Sequence, residues 1–392
     1  VRIILICGEF PPSPGGIGSY TAQLAARLAA AGVDISVVAV NRPWDAPREP
    51  HPGYRLLHLT RPWGTAANRR VHRIARAGAP AWVHVQYQTG AFNMNPRINL
   101  ATRGWRQKGL RVAWTYHDLL PPYLLPKIGR KVRDWVTFRP AHFAEAVIST
   151  NSQDRTRLEA VGFQAWEIPV PSLMPTYHGA AEELAAVRVA YGMQPDDLLL
   201  GHVGLALPGK GIQTLVEALR VLRRRGEPAR LLLIGGSTGQ GVQADQAFRT
   251  GLLRQIQTSD LQDYVTWTGY LDDEAASAAI ACCDMMVMPF TAGASARNSS
   301  LMACLAQGSV TITTTPQDAG LLPAALPTVP PQHPRELARL IQETFHSPEM
   351  QKTARRAAAA AIAGRTWDEV IRRHLKIYAT PLGTSESGMQ EN

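Results

Sequence analysis

One lysine stands between two glycines in Gly209-Lys210-Gly211, a pattern suited to holding an anion. The ammonium is a mobile point charge, and the glycines let backbone amides come close to a ligand. The flanks sharpen the reading. LLLGHVG before it, ending at Gly204, is a short apolar run that predicts a buried strand. After it Ile212, Leu215, Leu219 and Leu222 recur at helical spacing. A strand, a glycine-flanked lysine and a helix N-terminus bring amide N–H groups, helix dipole and side-chain charge to one place. The plainer alternative is an ordinary strand-to-helix turn with a solvated lysine.

The elements that position this turn repeat along the chain. At 392 residues the chain is too long for one ordinary core, and two domains are expected. RIILIC (2–7) predicts a strand, GEFPPSPGGIGSY a glycine-rich loop, and Leu24, Ala25, Leu28 and Ala29 one face of a helix. DISVVAV (34–40) closes a βαβ unit. Further strands are expected at 54–59, 81–88, 111–119 and 144–150, with a long loop at 41–54. Asn151 or Ser152 is placed to cap the helix that follows. Residues 171–197 read as a linker. The alternation then restarts, with strands at 198–204, 230–236, 264–269, 284–290 and 309–314. Helices fall between them, and helices dominate after 333. The expectation is α/β throughout: two doubly wound domains, 1–170 and 198–365. Residues 381–392, polar and low in apolar content, are expected to be a disordered tail.

Composition bounds the function. Hydrophobic residues make up 45% and charged residues 18%, which suits a globular protein. No apolar run approaches the ~20 residues needed to span a bilayer, and VRIILICG is a strand's length rather than a signal peptide, so a cytoplasmic location is expected. Cys7, Cys282, Cys283 and Cys304 lack CxxC or ligand-like His spacing and read as buried thiols. No HExxH, GxSxG, Walker loop or carboxylate cluster is present, so no metal is expected. The net charge of +10 is uneven: residues 1–170 hold 22 Lys/Arg against 10 Asp/Glu, the remainder 19 against 21. The two halves therefore suit different partners.

The motifs in their order resemble the retaining glycosyltransferases of family 4, with the GT-B architecture of two facing Rossmann-like domains. Those motifs are FPPSPGG in the first loop, Tyr116-His117-Asp118 after a strand, GKG, LLLIGG, TWTGYL before D…MP, and RNSSL ahead of LAQGSVTIT. The likeness runs from residue 10 to TWDEVIRRHLKIY at 366–378. It implies that the last helix, about 366–380, returns to the first domain. It also implies that a nucleoside-diphosphate-sugar co-substrate lies mainly on the second domain, across a cleft from the acceptor; no cofactor beyond that co-substrate is implied. Gly15 and Gly16 match the glycine pair near the donor diphosphate and reacting sugar. His117 matches the histidine that faces the donor sugar, and Lys210 the lysine that pairs with the diphosphate. Gly204, Tyr270, Leu271, Arg297, Ser299, Ser300 and Leu301 fall in motifs that line the donor.

The chain also departs from the family pattern. Leu205 stands where an arginine is frequent, and Ser295 and Ala303 align with the two acids of a Glu-x7-Glu pair. ARNSSLMA resembles the segment of a branch that lacks those acids. There Leu301, Met302 and Leu305 are spaced for a buried helix face, with Ser299 or Ser300 as N-cap. The first-turn amides are expected to meet the donor's diphosphate or sugar hydroxyls, with Arg297 adding a planar charged group.

The leading expectation is a metal-independent, retaining transfer of a sugar to an unidentified acceptor, in which Lys210 stabilises the leaving diphosphate. The alternatives are a nucleotide-sugar-binding protein with reduced catalysis and another GT-B enzyme such as an epimerase. Residues 122–139 mix Lys127, Arg130, Lys131 and Arg133 with Leu124, Leu125, Val132 and Trp135. Such a stretch could rest on anionic lipid at the inner membrane face; its alternative is a solvated helix packing its apolar side inward. No nucleic-acid-binding module accompanies the charge, and no nucleic-acid partner is expected.

Overall fold

The structure, a computed structural model, describes residues 1–380 except 14, 41–52, 60, 77–80, 123–128, 236–242, 296–297 and 318–320; for 243–245 it gives the backbone alone. It divides into two compact units. One is Val1–Val170 with the stretch that begins at Arg365, and the other is Pro171–Gly364.

The first unit is built on seven strands: β1 (Arg2–Cys7), β2 (Asp34–Val40), β3 (Arg55–Leu59), β4 (Ala81–Tyr87), β5 (Arg111–Tyr116), β6 (Ala146–Ser149) and β7 (Trp166–Glu167). They pair in parallel in the order β3-β2-β1-β4-β5-β6-β7. Every residue of β1 and β4 is buried. That is why these segments read as continuous apolar runs: a parallel sheet is covered on both faces. The last helix, Trp367–Ala379, packs on this unit. Its Trp367 stacks on Tyr20 with centroids 5.5 Å apart, and the Tyr378 carbonyl accepts from Trp82 Nε1 at 3.2 Å.

Strand order in this sheet reverses direction between β1 and β4, the kind of point at which open parallel sheets bind ligands beyond the strands' carboxyl ends. The loops after these two strands pack together at Gly8, where an added methyl would overlap the Ala91 carbonyl.

The second unit repeats the plan with β8 (Leu198–Val203), β9 (Ala229–Ile234), β10 (Val265–Gly269), β11 (Met285–Met288), β12 (Thr311–Thr314) and β13 (Thr328–Val329). Their order is β10-β9-β8-β11-β12-β13, again parallel. Alternate residues of β8 feed opposite layers, as the pleat requires. Leu198 and Leu200 join Leu215, Leu219 and Ile341 on one face, while Leu199 and Val203 join Ile280, Met302 and Leu305 on the other. The reversal of order here lies between β8 and β11. All four cysteines are free and buried.

The structure adds elements that the sequence reading left out. Residues 171–197, read as a linker, contain the helix Ala181–Ala190. Its Leu184 and Val187 pack on the Ile280 layer, and Arg188 donates to Asp284 Oδ2 at 3.1 Å, so it belongs to the second unit's core. AEELAAVRVA carries alanine and valine on all sides and gives no clear helical stripe. Helices Thr65–Arg76 and Arg97–Gln107 were also not expected. Their inward faces are narrow, Ala67, Val71 and Ala75 in the first and Ile98, Ala101 and Trp105 among others in the second.

Candidate functional site

In the second unit the lysine turn and the approach to helix Ser299–Ala306 follow the two strands at which the order reverses, β8 and β11. Gly204, directly after β8, has φ of 134°, a conformation that favours glycine, and its amide donates to the Ile234 carbonyl at 2.9 Å. Pro208–Lys210 form one 3-10 turn, and Gly211, in the left-handed region at φ 71°, starts the helix Ile212–Arg224. The turn is fastened to the loop after β11. The Thr291 amide donates to the Gly209 carbonyl at 3.2 Å, and Gly211 packs so closely on the Pro289 carbonyl that a methyl there would overlap it.

Lys210 is thereby aimed along the end of the sheet. Its Nζ lies 3.3 Å from Ser300 Oγ and 5.4 Å from the centre of the Phe290 ring. A methyl on Gly204 would sit 3.8–3.9 Å from Lys210 Cε, Nζ and Ser300 Cβ, so the three residues share one spot. Burial lowers the pKa of the ammonium from its ordinary value, and among the described residues no carboxylate is its partner. An anion placed there would relieve a cost that the fold already carries.

The serines do not cap their helix. The cap position is Asn298, and Ser299 and Ser300 are the first two helical residues. Asn298 uses its side chain elsewhere: its Oδ1 accepts from the Ser295 amide at 2.7 Å, bracing the turn behind it. Among the described residues the amides of Ser299, Ser300 and Leu301 therefore carry no hydrogen bond. Leu301, Met302 and Leu305 are buried, as their spacing suggested. Arg297 lies outside the described residues. Leu271 packs on the core, whereas Tyr270, at the end of β10, is 90% exposed. Gly235 closes this end of the sheet: it bridges Gly269, and a methyl on it would press on the Gly204 carbonyl at 2.8 Å.

In the first unit Gly15 occupies the cap position of the helix Gly16–Ala30 and offers no side chain to it. Glu9 does so instead, its Oε1 accepting from the amides of Ile17 at 3.1 Å and Gly18 at 3.2 Å. Burial raises the Glu9 pKa, and the two backbone bonds oppose that rise. A methyl on Gly15 would overlap this carboxylate, whereas one on Gly16 would meet nothing within 4 Å.

His117 follows β5 and is buried, with the Tyr20 ring edge-on at 5.2 Å. Its Nε2 is 2.8 Å from Gln86 Oε1. Burial, with His374 nearby, pushes its pKa down to about 3, so the ring is neutral. Nδ1 carries no hydrogen bond among the described residues.

The sequence reading missed Glu9, Gln86 and Asn298. Only Gln86 had left a signal. His84 and Gln86, two residues apart in the buried run AWVHVQY, put two polar groups on one face of a strand. Buried polar groups at that spacing must find partners. Among the described residues no group of three or more His, Cys, Asp or Glu stands close enough to hold a metal, and no helix is long and apolar enough to cross a membrane.

Comparison with known proteins agrees with this geometry. Residues 14–170 match the model of Glycosyltransferase Family 4, and residues 197–347 that of Glycosyl transferases group 1. A GDP-mannose-dependent alpha-(1-6)-phosphatidylinositol monomannoside mannosyltransferase of Mycobacterium tuberculosis is 25% identical over 306 residues, 74% of this chain and 72% of its own. Among solved structures, sucrose-phosphate synthase from Thermosynechococcus elongatus superposes with a TM-score of 0.71 at 22% identity, covering 96% of this chain and 98% of its own. HepE from Anabaena, solved with UDP and glucose, gives 0.72 at 14% identity over 96% and 99%. The reversal points, the lysine turn and these matches agree, and the chain belongs to the GT-B glycosyltransferases of the family 4 type.

Proposed function

We propose that the second unit binds a nucleoside-diphosphate sugar through Lys210 and the first turn of helix Ser299–Ala306, and that the sugar is transferred with retention of its anomeric configuration. One observation carries this reading: a half-buried ammonium beside three helix-start amides that carry no hydrogen bond among the described residues, at the reversal point of a parallel sheet. Such a site is complementary to a diphosphate, and more so as its charge grows when the glycosidic bond breaks. Lys210 then supplies the charge that a metal supplies elsewhere, and activity should survive chelation. Gly204 gives the phosphates close approach, Tyr270 and Leu271 border the nucleoside, and Arg297 with Ser299, Ser300 and Leu301 completes the donor contacts. In the first unit His117 and the Gly15-Gly16 pair meet the sugar substrate.

The test is incubation with UDP-, GDP- and ADP-sugars in excess EDTA, without and then with candidate acceptors. Proton NMR of the product's anomeric centre follows. The mycobacterial relative is named for GDP-mannose and HepE was solved with UDP, so both bases belong in the screen. Slow, EDTA-resistant release of a nucleoside diphosphate that Lys210→Gln abolishes supports the reading; an inverted product overturns retention. A chain that binds donors but never turns them over is a binding protein, and an altered free sugar nucleotide marks an epimerase.

A specific observation also favours a lipid-linked acceptor. On helix Arg130–Phe138, Val132 and Trp135 are 47% and 51% exposed, while only Thr137 is buried. Phe138 packs on the core of the unit, whereas Val132 and Trp135 face outward. Arg130, Lys131 and Arg133 share the helix, which suits an anionic membrane surface; Leu124, Leu125 and Lys127 lie outside the described residues. Flotation with phosphatidylglycerol vesicles, but not with phosphatidylcholine vesicles, is the expected result. Equal flotation with both, or none, removes the membrane from the reading.

A further inference from the structure

A line of buried side chains runs away from His117 through the first unit. Gln86 Oε1 lies 2.8 Å from His117 Nε2, and the other end of the same amide, Nε2, lies 3.2 Å from His84 Nε2. That ring nitrogen also meets Thr115 Oγ1 at 2.7 Å. On the far side of the His84 ring, Nδ1 is 2.6 Å from the Tyr378 hydroxyl, on the last helix. All five side chains are buried.

With the Gln86 amide turned this way, the chemistry of each partner places the protons. An amide oxygen only accepts, so His117 donates from Nε2 to Gln86. An amide NH2 only donates, so His84 Nε2 is an acceptor, taking bonds from Gln86 and from the Thr115 hydroxyl. With its Nε2 bare, neutral His84 holds its proton on Nδ1 and donates to the Tyr378 oxygen. His374, 5.5 Å from the His84 ring, does not join the line, because it donates from Nδ1 to the Val370 carbonyl at 2.8 Å. The opposite state demands that every member change together. Were Tyr378 to donate to His84 Nδ1, His84 would carry its proton on Nε2. The Gln86 amide would then turn over, and His117 would hold its proton on Nδ1.

We propose that Gln86, His84 and Tyr378 are positioning residues that keep the His117 proton on Nε2, so that Nδ1 is a bare acceptor for a hydroxyl of the sugar substrate. The assignment rests on the reading of His117 as a sugar-facing group. It adds a specificity rule to that reading: the group His117 meets must donate a hydrogen bond, as a sugar hydroxyl does and a carboxylate or phosphate oxygen does not. It also gives the last helix a part in the site through Tyr378, which needs no contact with substrate.

The test reads the tautomer directly. The full chain is labelled with 15N-histidine, and long-range proton–nitrogen correlation assigns the protonated nitrogen of each ring, with His117→Asn identifying the His117 signals. In the wild type His117 should be protonated on Nε2. Tyr378→Phe removes the acceptor of His84 Nδ1–H, and the line is expected to reverse and put the His117 proton on Nδ1. KM for the sugar substrate should then rise roughly tenfold, the loss of one hydrogen bond, with a smaller change in kcat. Thr115→Val touches only His84 and should leave His117 as it is. Gln86→Leu, which can neither accept from His117 nor donate to His84, should keep neither tautomer nor KM. His117 protonated on Nδ1 in the wild type, or unmoved by Tyr378→Phe in a variant of unchanged melting temperature, overturns the proposal. A wild type that transfers no sugar while its tautomers are as stated overturns the transferase reading and leaves the proton line standing.

Discussion

Lys210 Nζ and Ser300 Oγ, ninety residues apart in sequence, stand 3.3 Å from each other. Two loops that never meet in the sequence are brought together by the sheet: one leaves β8 and the other β11, neighbours at the reversal of strand order. The contact joins a cation to the first turn of a helix whose start amides are unbonded among the described residues. Neither half is specific alone; together they are what the proposed diphosphate site rests on.

That pairing separates function from stability. Burial already lowers the Lys210 pKa, so its charge is not what holds the fold. Lys210→Met should therefore leave the melting temperature unchanged or slightly raised, while turnover falls by roughly 10²–10³. Ser300→Ala, which removes a neutral partner, should cost only a few-fold. Parallel thermal melts and initial rates check both. A Lys210→Met protein that loses stability and rate together would make the lysine structural.

The adjacent glycines Gly15 and Gly16 should respond oppositely to the same methyl group. On Gly16 it faces open space, and alanine suits a first helical turn better than glycine, so Gly16→Ala should keep or gain stability. If donor or acceptor lies against that backbone, kcat/KM should nonetheless drop by tenfold or more. On Gly15 the methyl displaces the Glu9 carboxylate, which caps the Ile17 and Gly18 amides. Gly15→Ala should lose about 1 kcal/mol, the usual worth of a helix cap. Urea unfolding and steady-state kinetics on the two variants decide it.

How much of this was legible beforehand follows from where the information lies. β1, β4, β8 and β9 were readable because a strand buried on both faces is a continuous apolar run. Lys210 was readable because its glycines mark a turn between a strand and an amphipathic helix. Helix Ala181–Ala190 was hidden by its alanines, which give no face. The serines were read as caps, but the cap position is Asn298, whose side chain is spent on the Ser295 amide, a contact no local pattern announces. Glu9 acts on a helix eight and nine residues ahead, beyond any capping spacing. His84 and Gln86 showed that polar groups needed partners, but Tyr378, almost three hundred positions away, is found only by folding the chain.

Gly211 is a position where backbone conformation alone sets the cost. Its φ of 71° is strained for any other residue, and a methyl would overlap the Pro289 carbonyl. Gly211→Ala should lose at least ~1 kcal/mol and detach the lysine turn from the loop after β11. The expected signature is a lowered melting temperature together with weaker donor binding, measured by calorimetry. An alanine variant with wild-type values for both would show that the turn is not held by this contact.

The buried histidines predict the response to acid. His117 and His374 have pKa values pushed down to about 3 and about 4, and that of His84 is also lowered, in each case chiefly by burial. In the unfolded chain each returns to about 6.5. Between those values the unfolded state binds more protons than the folded one, so stability is complete above about pH 6.5 and is lost as pH falls toward 4. By pH 5 His117 and His374 would each have withdrawn on the order of 2 kcal/mol, a large share of a typical stability. Urea titrations at closely spaced pH values from 7.5 to 4.5 should show that slope, and His374→Gln should flatten it by one proton's worth. Buried carboxyl groups titrate in both proteins and cancel in the comparison. Parallel wild-type and His374→Gln curves would mean that His374 titrates as freely in the folded protein as in the unfolded chain, against its complete burial.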